Sequence, residues 1–123
     1  MATFLNNPSR PQRGEVWLVT FDPTLGAEIK KTRPAVVVSS NFVGRLPLKL
    51  VAPITDWKEA YAPDLWHIRL LPDSVNGLTK ESAVDVLQVR GLDELRFIRR
   101  LGRLSDELME QVVWAIADVI ECP

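Results

Sequence analysis

Arg33 stands directly before Pro34, five positions after the carboxylate of Glu28. A residue that precedes proline is pushed out of the helical region into extended backbone, so the Arg33 guanidinium projects from a fixed strand entrance. A planar fork of five donors held in this way suits a phosphate, and it stays cationic at any working pH. The competing reading of the same side chain is an ordinary surface ion pair. Glu28 offers either a proton acceptor or a brace for that guanidinium. Lys30 and Lys31 lie between the two and attract phosphates non-specifically, unless they form no more than a solvated basic loop. Thr55 sets a hydroxyl at the end of the apolar run Leu50-Val51-Ala52-Pro53-Ile54, where a β-branched residue is also expected simply as strand material. The chemistry open to these residue types is the binding of a phosphate ester beside a group able to take a proton.

Other chemistries are closed off by count. His67 is the only histidine, which excludes a histidine-pair mechanism, and its mid-strand position reads as structural. Cys122 is the only cysteine and sits next to the C-terminus, so neither an internal disulfide nor a cysteine-based zinc site can form. The carboxylates make no close cluster and no H-E-x-x-H helix occurs; Asp56 and Asp64 flank one loop, too sparse a pair for a metal. Neither metal nor cofactor is expected. The net charge of −1 is uninformative, but five of the 16 acids and none of the 15 bases lie from Ser105 onward. Residues 1–104 therefore hold 15 bases against 11 acids, and a polyanion should meet that part of the chain.

The elements that would position these residues follow from periodicity. At 123 residues the chain reads as one domain over 13–123, preceded by a flexible tail over 1–12 without the features of a signal peptide. Apolar, β-branched and aromatic runs predict strands at 15–21, 34–39, 48–53, 66–71, 82–89 and 97–104. The run at 34–39 is nearly all apolar, the mark of a strand buried on both faces. A loop over 22–31 joins the first two strands, long enough to be mobile and functional. After Leu104 the period changes: Leu108, Met109, Val112, Val113, Ile116, Val119 and Ile120 form one stripe of an amphipathic helix, with Ser105 as N-cap and Asp106 and Glu107 in its first turn. Leu104 and Met109 have the spacing of a hydrophobic staple. Strands followed by one helix make the fold class α+β. No apolar run approaches the roughly 20 residues of a membrane helix.

From Gly14 to Ile120 this order of parts resembles the MazF/PemK family of toxins from bacterial toxin–antitoxin pairs, small ribonucleases that cut single-stranded RNA. The likeness is carried by Arg13-Gly14-Glu15-Val16-Trp17, by Gly26-x-Glu28 followed by Arg33-Pro34, and by Pro53-Ile54-Thr55. It implies a small twisted antiparallel SH3-like β-barrel closed by the C-terminal helix. It implies Arg33 and Thr55 as a catalytic pair meeting at one site, with Glu28 involved beside them. The activity so implied is metal-independent transesterification: the RNA 2′-hydroxyl attacks its own phosphate, leaving a 2′,3′-cyclic phosphate and a 5′-hydroxyl. Lys30 and Lys31 would then attract RNA, Trp57 and Tyr61 would stack an unpaired base, and Gln88 would lie near the RNA or a partner subunit. The resemblance further implies a cytoplasmic homodimer held in check by a cognate antitoxin with an acidic, disordered tail. Two other readings fit the same outline: a CcdB-like protein that binds DNA gyrase without catalysis, and an RNA-binding member without activity.

Overall fold

The computed structural model describes residues 10–43 and 46–122. Seven strands and one helix succeed one another: β1 (Glu15–Thr20), β2 (Thr32–Val37), β3 (Leu48–Asp56), β4 (His67–Leu70), β5 (Ser82–Asp85), β6 (Arg90–Asp93), β7 (Phe97–Arg103) and α1 (Asp106–Val119). The strands pair antiparallel in the order β4-β5-β3-β2-β1-β7. The path is open rather than closed, with β4 and β7 at its two ends, so the expected barrel is not closed by strand pairing. β3 holds the middle by changing partners along one edge. Its first residues, Leu48 to Val51, pair with β6, and its last, Ile54 to Asp56, pair with β5.

β2 shows why its run is almost wholly apolar. Successive strand residues point to opposite faces. Val36 and Val38 enter a core with Val16, Ala52, Ile54, Leu70 and Val84, while Ala35 and Val37 enter a second core with Val19, Phe21, Val51 and Leu92. Both faces of the strand are therefore buried. Pro34 is tolerated inside β2 because pairing with β3 begins only at Ala35.

The helix covers the first core as its stripe requires. Met109, Val112 and Ala115 are buried there beside Leu104, the residue that enters the helix. Ser105 caps it, its Oγ accepting the Leu108 N–H at 3.2 Å, and Asp106 and Glu107 follow in the first turn.

Three departures from the sequence expectation have identifiable causes. The strand expected over 82–89 ends at Asp85, whose carboxylate accepts the Leu87 N–H and opens a 3-10 turn, Val86–Gln88. β6 was not expected, since Arg90-Gly91-Leu92-Asp93 has little strand character of its own and owes its form to β3. Of the expected N-terminal tail, residues 1–9 lie outside the described residues, whereas Arg10 to Gln12 are held. Arg10 pairs with Glu94, Pro11 is buried, and the Gln12 N–H donates to Glu15 Oε1 at 2.8 Å.

Candidate active site

Register brings the arginine and the threonine together. Arg33 lies opposite Val19 in β1, and Ala35 lies opposite Pro53 in β3. Carrying the second register two residues further sets Arg33 across from Thr55, where β3 has turned to pair Thr55 with Ala83 of β5. Both residues line one cleft of about 320 Å³, with Thr32, Asp56, Lys80 and Arg99 around them. Arg33 Nε donates to the Lys30 carbonyl at 3.1 Å, and among the described residues Arg33 joins no ion pair. The surface-salt-bridge reading of Arg33 therefore finds no partner there.

The charge balance of the cleft favours an anion. Asp56 is the one carboxylate on its walls, and Lys80 Nζ neutralises it at 3.0 Å. Arg33 and Arg99 remain as surplus cations beside the hydroxyls of Thr32, Thr55, Thr79 and Ser82. Sequence reasoning singled out neither Arg99 nor Lys80, and weighed Asp56 only as a metal ligand. The available signal was the run Arg99-Arg100-Leu101-Gly102-Arg103 in β7. Alternation sends Arg99 to this cleft, while the neighbouring Arg100 pairs with Glu15 at 2.9 Å.

Glu28 is not in this cleft. It lines a second one of about 620 Å³, with Phe21, Ile29, Gln88 and Arg90, and the two clefts share no lining residue. Its Oε1 accepts the Leu25 N–H at 2.6 Å, closing a short turn within the loop, and it makes no ion pair with Arg33. The brace reading of Glu28 is thus absent from the observed arrangement. Lys31 adopts a left-handed conformation, φ 68°, with its N–H donated to Asp22 Oδ1 at 2.9 Å and its carbonyl accepting the Phe21 N–H. Its backbone closes the loop, and the side chains of Lys30 and Lys31 are left exposed.

The aromatic connector is already partly engaged. Trp57 and Tyr61 meet edge to face at 6.0 Å, and the Arg69 guanidinium covers Trp57 at 5.0 Å. Tyr61 stacks on His67 at 3.8 Å, almost parallel, which occupies one of its faces. His67 is itself nearly buried, its Nδ1 3.0 Å from Asp64 Oδ2, in keeping with a structural role. Gln88 is half-buried, and its side chain faces the 22–31 loop rather than open solvent. Among the described residues no group of three or more His, Cys, Asp or Glu is arranged to hold a metal ion.

Residues 12–120 match the model of the PemK-like, MazF-like toxins of type II toxin–antitoxin systems. The chain belongs to this family. Among its relatives, the endoribonuclease toxin ChpB of Escherichia coli (strain K12) is 34% identical over 114 residues, covering 89% of this chain and 94% of that one. The fold of MazF from Deinococcus radiodurans superimposes with a TM-score of 0.76 at 23% identity, over 91% of this chain and 97% of the other. A MazE–MazF structure from the same organism gives a TM-score of 0.70 at 22% identity, over 92% and 97%. In this MazF/PemK chain no described helix is long and apolar enough to cross a membrane.

Proposed function

We propose that this MazF/PemK-family chain is an endoribonuclease toxin that cleaves single-stranded RNA without a metal ion and is neutralised by a cognate antitoxin. Family membership supports the toxin role, and the endoribonuclease activity of its E. coli relative supports the reaction class. The observation that carries the reading is the cleft lined both by Thr55 and by an Arg33 that joins no ion pair among the described residues. A phosphodiester seated there has its charge met by a pre-positioned guanidinium and a hydroxyl donor, and its linkage held for attack. The 2′-oxygen, having lost its proton, forms a bond to phosphorus as the bond to the 5′-oxygen breaks, and the leaving oxygen takes a proton from water, giving a 2′,3′-cyclic phosphate and a 5′-hydroxyl. Arg33 and Thr55 stabilise the charge that builds on the phosphoryl oxygens. Arginine is too weak an acid to serve as the base.

Glu28 takes the 2′-hydroxyl proton in this reading, reaching the substrate from the loop; it is the only carboxylate between Asp22 and Arg33. Asp56, inside the cleft, is the competing assignment, with its carboxylate engaged by Lys80 Nζ at 3.0 Å. Glu28→Gln should therefore lower kcat about a hundredfold and Asp56→Asn no more than about threefold. The opposite order, read from initial rates, transfers the role to Asp56. Lys30, Lys31, Arg99 and the free edges of Trp57 and Tyr61 contact the RNA on either side of the scissile bond, and Gln88 supports the loop. The protein works in the cytoplasm as a homodimer, and the antitoxin's acidic tail lies across the same cationic cleft.

Incubation of the purified chain with a long single-stranded RNA in EDTA tests the reading. Fragments ending in 5′-hydroxyl groups are the expected result. Retention of RNA without cleavage would make the chain a binding member only, and no interaction at all would remove RNA as its target.

A further inference from the structure

The loop that carries Glu28 is fastened near its C-terminal end, at Ile29, by a side chain 59 residues away. Gln88 Oε1 accepts the Ile29 N–H at 2.7 Å, while Gln88 Nε2 donates to Asp85 Oδ2 at 3.0 Å. A carboxamide has one accepting end and one donating end, so its orientation decides whether it can hold an N–H at all. Asp85 settles that orientation because an ionised carboxylate only accepts. Its other oxygen, Oδ1, is committed to the Leu87 N–H at 3.1 Å, in the turn that presents Gln88. The carboxylate is nearly buried, and its remaining neighbour is His67 Nε2, 3.7 Å from Oδ2. Both groups that hydrogen-bond the Asp85 carboxylate, the Leu87 N–H and Gln88 Nε2, are donors.

The fastening reaches the arginine. Ile29 is packed on the core around Phe21, and the carbonyl of the next residue, Lys30, receives Arg33 Nε at 3.1 Å. We propose that Asp85 is a positioning residue: by polarity alone it turns Gln88 so that the carboxamide oxygen clamps the loop at Ile29, which fixes the Lys30 carbonyl that steers Arg33. The clamp itself is independent of the nuclease reading; its effect on turnover rests on it.

A polarity exchange in the full chain tests the clamp. Asp85→Asn keeps an acceptor for the Leu87 N–H but turns an NH₂ toward Gln88, so two donors meet either there or at Ile29. Gln88→Glu sets two carboxylates against each other. In the double variant the amide introduced at position 85 donates to the carboxylate introduced at position 88. The second oxygen of that carboxylate accepts the Ile29 N–H, and the clamp is restored with its polarity reversed. Each single variant should accelerate hydrogen exchange of the Ile29 amide at least about tenfold and lower kcat about tenfold, with a smaller change in KM. The double variant should bring both within about threefold of the parent, the signature of direct coupling. Gln88→Ala, which deletes the bridge without forcing like groups together, should match Asp85→Asn at Ile29. Unchanged exchange in the single variants, or a double variant as impaired as the two singles combined, would overturn the proposal. The expected exchange pattern in a chain whose parent cuts no RNA would uphold the clamp and refute the nuclease reading instead.

Discussion

Arg33→Ala should lower the rate of RNA cleavage by roughly two to three orders of magnitude while leaving melting temperature and oligomeric state close to those of the parent. Removal of one pre-positioned donor to a developing oxyanion typically costs about that much. The loss should be large here because Arg33 lines the same cleft as Thr55 and spends no charge on a carboxylate among the described residues. It should also be local. Arg33 is only half-buried, and its one described side-chain bond is to the Lys30 carbonyl of its own loop. Arg33→Lys separates charge from shape: lysine keeps the cation but loses the planar fork, so activity should fall between parent and alanine variant. Rates measured under single-turnover conditions would decide the matter. An alanine variant within about threefold of the parent would remove Arg33 from the chemistry.

The second large effect is on stability. Gly102→Ala should lower the melting temperature by roughly 10 °C or more, from an overpacking cost of about 3 kcal/mol. A Cβ at Gly102 would fall 2.2 Å from the Val75 carbonyl oxygen and 2.5 Å from the Asn76 carbonyl carbon. These are backbone atoms that cannot swing aside, for the Arg103 N–H donates to the Val75 carbonyl at 2.9 Å. Asn76 is buried, with its Nδ2 donating to the Leu71 carbonyl and its Oδ1 accepting the Leu78 N–H. Gly77 is the reciprocal position, with φ 71° and a hypothetical Cβ 2.1 Å from the Leu101 carbonyl oxygen. The turn after β4 and strand β7 thus meet backbone to backbone. Because Gly77, Leu78 and Leu101 line the Arg33–Thr55 cleft, the same substitution should distort it. A thermal transition unchanged by the alanine would mean that the two segments are not so pressed together.

Much of this was legible in one dimension. The period change after Leu104 marks the helix and its Ser105 cap, and the unbroken apolar run marks a strand with two buried faces. Those signals are local, so sequence carries them. β6 escaped because its strand geometry comes from pairing with Leu48–Val51, not from its own residues. The 3-10 turn at Val86–Gln88 escaped because β-branched neighbours mimic strand continuation, and a single carboxylate decides otherwise. Within the site, the pairing of Arg33 with Thr55 was expected from family resemblance, and both residues line one cleft. Glu28 was grouped with them through its spacing, yet the loop turns it into the neighbouring cleft. Contacts such as Gln88 to Ile29, or Arg99 to this cleft, join segments far apart in the chain and leave no trace in local pattern.

The one-signed character of α1 has a consequence for encounter. Asp106, Glu107, Glu110 and Asp118 are all exposed on it, and the helix contributes nothing to either the Arg33 or the Glu28 cleft. A helix with acids and no base, and surplus cations at the cleft, separate charge within a chain whose net charge is only −1. A polyanion drifting near it is torqued before touching, so productive collisions outnumber those that geometry alone would give, and the advantage fades as salt shortens the Debye length.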